Sequence, residues 1–528
     1  MLPWPLLMKH YQRRKADRAH NPGRRSLLRL GAATAALGTL GVAGYASSKR
    51  APSPAVKPFQ VDLPIPDVLQ PTRTDANTDY YDISQHLNEI EILPGKWTPI
   101  WGYNGTFPGP TIKARRGRTA VVSHINRLKV PTVVHLHGGH TPAESDGYPL
   151  DLVVPVGLSP ADFPICGLHD DAHPSQGQRF PHAKTYTYPN AQRGATLWYH
   201  DHAMDGTGHN VYMGMAGFYL IEDDETKALN LPSGAYDIPL MLTPRQFDDK
   251  GAFVYNPHTH SGAEGDVLLV NGAPWPRLDV QRRKYRFRIL NAANSTPFDI
   301  ALASGRPLTQ IGTDGGLLAE PVSVAHIPMQ MAERTEIVID FARYEDGAVE
   351  TLVNRLGVGP MGQIMQFRVL AGEVADDSQV PAKLIPIAPL TRDMAVRVRD
   401  FTFGSRPEFA LEAPPIFWSI NGRRFDPNRV DADPKLGDIE IWRFTYEKSI
   451  FPSHAHPPHV HLVHFQILSR NGKPPLPHER GWKDTFALNG GETVEVIARF
   501  DGYRGRYLIH CHNLEHEDHD MMARFDVI

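Results

Sequence analysis

The tripeptide His510-Cys511-His512 directly follows a short apolar run, Tyr507-Leu508-Ile509, that contains no Pro or Gly. Such a run predicts a buried strand, and successive side chains of a strand point to opposite faces. Cys511 would then face one way and the two histidines the other. Because thiolate and imidazole both suit copper, the strand can hold a metal on each side, with the backbone as a bridge. Standing alone, the tripeptide would favour a simpler interpretation, a buried free Cys between two incidental histidines.

Short strand-like runs recur along the chain and are separated by turns rich in Gly, Asn and Pro. Examples are TAVVSHINRL, KYRFRILNAA and ETVEVIARF, and long helical periodicity is not found. The 44 Gly and 47 Pro suit short strands joined by turns better than long helices. The sequence therefore predicts an all-β protein built from sandwiches or barrels. Residues 144–190 are predicted to form a long loop.

A chain of 528 residues is long enough for about three domains. Composition and turn signals predict a signal segment and an arm, then three β domains with one linker. The predicted ranges are 1–46 for the signal segment, 47–78 for a Pro-rich arm, 79–224, 225–372 and 401–528 for the domains, and 373–400 for the linker.

The N-terminus has the composition of an export signal. Its first 29 residues contain eight Lys or Arg and one acid, and a Gly/Ala-rich run from Leu30 to Ala46 follows. This run is too short and too weakly apolar for a spanning helix, which needs about 20 apolar residues, so a cleaved signal is favoured over a membrane anchor. GRRSLLRL resembles a twin-arginine signal, with Arg24 and Arg25 as the pair. We expect export by machinery for folded proteins, to the periplasm, the cell envelope or the exterior.

Charge and cysteine content narrow the possible partners. The formal charge is −3, and loss of the basic signal segment would make the chain more acidic, which argues against nucleic acid as a partner. The two cysteines are Cys166 and Cys511, so a disulfide is impossible if Cys511 binds a metal. Cys166 is predicted to be a free thiol. The loop residues His169, Asp170, Asp171 and His173 could bind an extra metal, although a solvated loop is the favoured interpretation.

Four histidine clusters carry the strongest functional signal. They are HLHGGH with His135 and His137, WYHDH with His200 and His202, HAHPPHVHLVHF with His456, His459 and His461, and HCHNLEHEDHDMM. Residues i and i+2 of a strand share a face, so each HxH pair can serve one metal or one tight cluster. A single pair is weak evidence, and PHTHSG with His258 and His260 is interpreted as a loop. Four pairs in strands, with a Cys between two histidines, are hard to explain by chance.

This set of motifs resembles the three-domain multicopper oxidases, which include laccases, bilirubin oxidase and phenoxazinone synthase. The likeness is closest to the bacterial spore-coat-type laccases, and it covers nearly all of the chain after the signal segment. It implies three cupredoxin-like Greek-key β-barrel domains and four copper ions. The third and fourth clusters match the patterns HPxHxH and HCHxxxHxxxxM of that family.

The resemblance implies a role for each ligand. The type 1 copper would be held by His456, Cys511, His516 and Met521. The type 2 copper would be held by His135 and His459. The two type 3 coppers would be held by His137, His200, His202, His461, His510 and His512.

Several neighbouring residues have competing interpretations. Asp146 and Glu517 match acids that the family uses near its oxygen-reducing centre, and either could relay protons or merely orient a ligating histidine. Met522 adjoins Met521 and could exchange roles with it, although spacing favours Met521. The histidines outside the family pattern are predicted to support the ligands or to lie at the surface, and they are His140, His454, His464 and His519.

The resemblance implies an oxidase. A small aromatic reductant would give up electrons singly at the type 1 site, and Cys511 would pass them to His510 and His512. Four electrons would reduce one O₂ to two waters. Phenols, aromatic amines and bilirubin-like pigments are the implied substrates. A Cu(I) metallo-oxidase is an alternative, weakened because the 13 Met are scattered. A non-enzymatic envelope protein on this scaffold is opposed by the complete ligand set. Whether the protein is a monomer or a homo-oligomer is left open.

Overall fold

The computed structural model describes residues 51–160, 177–256, 262–407, 416–446 and 455–528. Residues Ser53–Ile528 pack as one compact unit. Some residues singled out in the sequence lie outside the described ranges: the predicted signal segment 1–46, Cys166, His169, Asp170, Asp171, His173, His258, His260 and His454.

The first group of strands forms two sheets around one hydrophobic core. Its strands are β1 Arg73–Thr74, β2 Thr78–Leu93, β3 Lys96–Tyr103, β4 Gly109–Arg115, β5 Thr119–Asn126, β6 Val134–His137, β7 Leu152–Val154, β8 Arg179–Pro181, β9 Ala183–Tyr188, β10 Ala195–Asp201 and β11 Ala216–Glu222. One sheet has the order β1-β2-β5-β9, with β3 paired to β2, and the other has the order β4-β11-β10-β6. The short strands β7 and β8 pair with each other.

The second group also forms two sheets. Its strands are β12 Asp237–Arg245, β13 Val267–Val270, β14 Ala273–Pro274, β15 Arg277–Arg282, β16 Lys284–Asn291, β17 Phe298–Leu302, β18 Leu308–Thr313, β19 Gly316–Val324, β20 Ile327–Met329, β21 Arg334–Asp340, β22 Val349–Asn354 and β23 Gln363–Glu373. The sheet orders are β14-β13-β12-β16-β21-β18-β19 and β15-β23-β22-β17-β20.

The third group contains the last sheets of the chain. Its strands are β24 Arg397–Pro407, β25 Ile416–Ile420, β26 Ile439–Tyr446, β27 Pro458–Val460, β28 Phe465–Arg470, β29 Thr493–Arg499, β30 Gly505–Cys511 and β31 Met522–Val527. The sheet orders are β25-β24-β26-β29-β28 and β27-β30-β31. Strand β24 begins at Arg397, inside the range predicted as a linker.

Helices are short in the described residues. The α-helices are α1 Thr207–Tyr212, α2 Asp224–Ala228 and α3 Leu514–Asp518, and the 3-10 helices are Ala143–Ser145, Gly234–Tyr236, Phe341–Arg343, Gly359–Gly362, Arg392–Met394 and Pro477–Glu479. Helix α3 begins where the Asn513 side chain caps the backbone N–H of His516. Within the described ranges, no helix has both the length and the apolar character that a membrane span requires.

In each group, side chains from the two larger sheets share a buried hydrophobic cluster, which confirms the predicted all-β, cupredoxin-like fold. In the first group, for example, Val122 of β5 and Leu197 of β10 belong to the same buried cluster, although they come from different sheets. The predicted long loop at 144–190 is wrong in part, because β7, β8 and β9 lie within it. The residues of β9 alternate between buried and more exposed positions, as expected of a half-buried strand. The polar, Pro-rich residues around β9 conceal this short alternation in the sequence.

The Pro-rich stretch before the first sheet packs onto the second group. The backbone N–H of Phe59 donates to the carbonyl of Trp275 at 2.8 Å, and that of Leu63 donates to the carbonyl of Arg277 at 2.7 Å. Leu63 is buried in the core of the second group. These backbone bonds and this apolar contact tie the start of the described chain to its middle.

Candidate metal centre

Strand pairing places the histidine motifs opposite one another. His200 of β10 lies across from His135 of β6, and His459 of β27 lies across from His510 of β30. Alternation along β30 places His510 and Cys511 on opposite faces, so His510 meets His461 while Cys511 meets His456. All twelve predicted ligands are buried: His135, His137, His200, His202, His456, His459, His461, His510, Cys511, His512, His516 and Met521.

Cys511 and two histidines form one compact group. The Cys511 Sγ lies 3.4 Å from Nδ1 of His456 and 3.6 Å from Nδ1 of His516, and the two imidazole nitrogens are 3.2 Å apart. Burial raises the pKa of the Cys511 thiol, so a metal that binds here must displace its proton. Met521 belongs to the same buried cluster as Cys511, whereas Met522 packs in a different one with Tyr148.

The eight remaining histidines converge in one continuous cluster, in which we distinguish two sets of three and one pair. In the first set, Nε2 of His510 lies 3.3 Å from Nε2 of His202 and 3.1 Å from Nε2 of His461. The second set is His137, His200 and His512, whose ring centroids are 5.0 to 5.8 Å apart. The pair is His135 and His459, whose Nε2 atoms are 3.4 Å apart.

Hydrogen bonds to the outer ring nitrogens direct the inner nitrogens towards one another. Nδ1 of His135 donates to the carbonyl of Asp146 at 2.5 Å, and Nδ1 of His200 donates to the carbonyl of Asp201 at 2.8 Å. In His137 the two ring nitrogens exchange these roles, because its Nε2 is the outer nitrogen and bonds a carboxylate oxygen of Asp484 at 3.0 Å. Its Nδ1 has no hydrogen-bond partner among the described residues, so Nδ1 is the nitrogen left for a metal.

Burial keeps five of these imidazoles neutral, which is the form that binds metals. Desolvation lowers the pKa of His200 to about 3 and that of His202 to about 4. The pKa values of His135, His459 and His512 are lowered in the same direction, also mainly by burial. These five histidines therefore present lone pairs at neutral pH.

Two buried acids, Asp146 and Glu517, contact the histidine sets. A carboxylate oxygen of Asp146 lies 2.7 Å from Nδ1 of His461. The Glu517 oxygens lie 3.1 Å from Nδ1 of His510 and 3.4 Å from Nδ1 of His202. Burial raises the pKa of Asp146. Burial opposes ionisation of Glu517 as well, but the adjacent His202 and His510 outweigh it and lower its pKa to about 2.

The structure adds two buried residues that the motifs did not indicate, Asp484 and Arg334. Asp484 contacts His137 through its carboxylate and His459 through its carbonyl, which accepts from Nδ1 at 2.9 Å. It lies in an irregular stretch between β28 and β29, where no local pattern marks it. Arg334 lies in the second, middle strand group, and both of its terminal nitrogens donate hydrogen bonds to the Asp484 carboxylate.

The histidines outside the family pattern lie at different distances from the centre. His464 Nε2 is 3.5 Å from a carboxylate oxygen of Asp484, so it supports the site from outside the ligand sets. His140 lies further out, where its Nε2 bonds the carbonyl of Asp501 at 3.0 Å. The backbone N–H of His519 donates to the carbonyl of His516 at the end of α3.

The donors present fit copper. A buried thiol with two imidazoles is the soft donor set of an electron-transfer copper site, and clustered imidazoles also suit copper. Nε2 of His200 and both ring nitrogens of His512 are buried without a hydrogen-bond partner among the described residues. Buried polar atoms of this kind are unfavourable unless another group, such as a metal, binds them.

Comparisons with known proteins agree with this geometry. Two family models described as multicopper oxidase match residues 400–528 and residues 86–157 with 176–226. The chain is 38% identical to a laccase from Bacillus stratosphericus, over 89% of this chain and 99% of the relative. It is 37% identical to a bilirubin oxidase from Albifimbria verrucaria, over 90% and 82% of the two chains. A solved multi-copper oxidase from Pediococcus acidilactici superposes with a TM-score of 0.78, at 30% identity, over 92% of this chain and 95% of that one.

Proposed function

This chain belongs to the multicopper oxidase family, and from that premise we propose that its buried ligands divide among four copper ions. The enzyme is a copper-dependent oxidoreductase that oxidises phenolic substrates and reduces O₂, as expected from its laccase and bilirubin oxidase relatives. The observation that supports the finer assignment is that the thiol-containing group lies apart from one cluster of eight histidines, which we divide into three groups.

The type 1 site is assigned to His456, Cys511, His516 and Met521. The first three are grouped around Sγ, and Met521 lies in the same apolar cluster. A thioether is a weak ligand, so this set is typical of blue-copper electron-transfer sites. The apolar surroundings exclude water from the thiolate.

The other three sites are assigned to the eight histidines. The pair His135 and His459 is the type 2 site. The two sets of three are the type 3 sites, one with His202, His461 and His510, the other with His137, His200 and His512. The first and third strand groups both supply ligands to each set, so they must be folded together before any of these sites is complete.

When bound, copper supplies one-electron redox chemistry at the thiol-containing group and reduction of O₂ at the histidine groups. Cys511 is covalently linked through one peptide bond to His510 and through another to His512. The chain thus connects the thiolate with a ligand of each type 3 set by the shortest backbone route. The buried carboxylate of Asp146 contacts the outer nitrogen of His461, and that of Glu517 contacts the outer nitrogens of His510 and His202. We assign to these two acids the delivery of the protons that O₂ reduction consumes.

The reductant is tested by oxygen uptake of the copper-loaded protein with a phenol, an aminophenol, bilirubin and Cu(I). We expect the aromatic reductants to support faster uptake than Cu(I), and copper analysis to give four ions per chain. Faster turnover with Cu(I) would instead identify the alternative, a metallo-oxidase for copper tolerance. A protein that binds copper but consumes no O₂ with any reductant would contradict both.

We also propose export through the twin-arginine route. The support is the sequence GRRSLLRL, with Arg24 and Arg25, before a Gly/Ala-rich run. A fusion of residues 1–50 to a reporter that folds before export should reach the periplasm or the medium. Replacing both arginines with Lys should keep the reporter inside the cell, and unchanged export of that variant would contradict the proposal.

A further inference from the structure

The second strand group, the middle one of the three, supplies none of the twelve predicted copper ligands. One of its side chains nevertheless contacts Asp484, a residue that hydrogen-bonds two of those ligands. Arg334, the first residue of β21, is fully buried. Its Nη1 donates to Oδ1 of Asp484 at 2.7 Å and its Nη2 donates to Oδ2 at 2.5 Å. This two-pronged contact is the geometry in which arginine fixes the plane of a carboxylate most firmly.

Asp484 in turn contacts one ligand from each end of the chain. Its Oδ1 accepts from Nε2 of His137 at 3.0 Å, and its carbonyl accepts from Nδ1 of His459 at 2.9 Å. The first bond leaves Nδ1 of His137 as the nitrogen that faces the centre, and the second leaves Nε2 of His459. The position of this single residue therefore selects the metal-facing atoms of a predicted type 3 ligand and a predicted type 2 ligand.

Further contacts from the middle group secure the chain around Asp484. The carboxylate of Asp314 accepts from the backbone N–H groups of Asp484 and Thr485 at 3.3 and 3.4 Å. Lys483 pairs with Asp314 at 2.9 Å and with Glu333 at 3.0 Å. The stretch Lys483-Asp484-Thr485 is thus anchored by charged side chains of a segment that holds no ligand.

We propose that Arg334 is a positioning residue for the copper cluster, which it orients by fixing Asp484 against His137 and His459. The inference rests on the proposed function, because it presumes that these two histidines bind copper. It gives the middle group a part in building the centre in addition to its part in the fold. No hydrogen bond joins Arg334 to either histidine in the described structure, so its geometric hold on them runs through the Asp484 carboxylate.

Arg288 offers a matched control. It is also a buried arginine of the middle group, and it bonds Thr196 of β10 at 3.0 Å, as Arg334 does through the Thr196 carbonyl. Its carboxylate partners are Asp237 and Glu336, neither of which contacts a predicted ligand in the described structure. Arg288→Gln therefore removes a buried arginine from the same face without disturbing Asp484.

The test compares copper-loaded wild type, Arg334→Gln, Arg334→Lys and Arg288→Gln. The blue absorption reports on the type 1 site and shows that the third strand group is folded. The type 2 paramagnetic resonance signal and competition with a chelator report on the histidine cluster. Both Arg334 variants should keep the blue absorption, change the type 2 signal and hold cluster copper about 10- to 100-fold more weakly. Arg288→Gln should match the wild type in both cluster measurements.

Three results would overturn the inference. The first is an unchanged type 2 signal and unchanged chelator resistance in both Arg334 variants. The second is an equal loss of cluster copper in Arg288→Gln, because general packing between strand groups would then explain the effect. Arg334→Lys keeps the positive charge but cannot form the two-pronged contact, so it serves as the test if Arg334→Gln fails to fold. In that case, the third contradicting result is an Arg334→Lys variant whose type 2 signal and chelator resistance equal those of the wild type. A wild-type protein that takes up no copper would instead contradict the proposed function.

Discussion

The Sγ atom of Cys511 lies 3.4 Å from Nδ1 of His456, although the two residues are 55 positions apart in the chain. Next to Cys511 in sequence, His510 faces the opposite side of β30, where its Nε2 lies 3.1 Å from Nε2 of His461. Strand β30 thus contributes Cys511 to the thiol-containing group and His510 to the histidine cluster. His456 and His461, from a motif about 50 residues earlier, join these two groups.

Replacing Cys511 with Ser should abolish both the blue absorption and the oxidase turnover. A hydroxyl of nearly the same size fills the buried position, so the fold should persist, but it is not the soft thiolate that a blue-copper site requires. Absorption spectroscopy and oxygen uptake measure the loss, and circular dichroism checks the fold. Copper bound by the eight histidines should remain. A variant that stayed blue would refute the assignment of Cys511.

Replacing Met521 with Leu should raise the reduction potential of the type 1 site while the blue absorption remains. The thioether donates weakly to the oxidised metal, so its loss destabilises the oxidised form. Met522→Leu is the control, because Met522 packs with Tyr148 and Leu150 in another cluster. Redox titration of the blue absorption distinguishes the two. If Met522→Leu shifted the potential and Met521→Leu did not, their roles would have to be exchanged.

Replacing Glu517 with Gln separates proton transfer from the positioning of ligands. Glutamine keeps an oxygen that can accept from His510 or His202, but it cannot carry a proton. We expect reoxidation of the reduced enzyme by O₂ to slow about 100-fold or more, with anaerobic reduction of the blue site unchanged. Stopped-flow absorption measures both phases. Reoxidation at the wild-type rate would leave Glu517 with an orienting role alone.

A buried histidine away from the ligands should make the fold sensitive to acid. His124 is packed against the rings of Tyr103 and Tyr186, and burial lowers its pKa to about 3. An unfolded histidine titrates near pH 6.5, so between about pH 6.5 and 3 the unfolded chain binds a proton that the folded chain does not. The free energy of unfolding therefore falls with decreasing pH in this window, by at most about 1.4 kcal/mol per pH unit.

His124→Gln removes this titration, so its stability relative to the wild type should rise as the pH falls from 6.5 towards 4. Denaturant unfolding at several pH values measures the difference in free energy between the two proteins. The copper ligands titrate in both proteins, and their contribution cancels in that difference. A difference that does not depend on pH would contradict the pKa shift of His124.

Local patterns predicted much of the candidate site because its motifs are local. An HxH pair in a strand places two imidazoles on one face whatever the rest of the chain does. The same alternation directs Cys511 away from His510 and His512. The strand β9, by contrast, was missed because its short alternation is enclosed by polar and Pro-rich residues. An alternation of only six residues is too short to indicate a strand when the residues on both sides have the composition of a loop.

The sequence by itself determined the all-β fold, the strand setting of the histidine pairs and the donor chemistry that suits copper. These properties follow from side-chain type and from the period of two along a strand. Only the tertiary structure decided which histidines meet, because contacts such as that of His135 with His459 join residues more than 300 positions apart. It also decided that Asp484 contacts His137 and that Arg334 contacts Asp484. Side chains that meet through folding, without a shared local period, leave no signal in a single sequence.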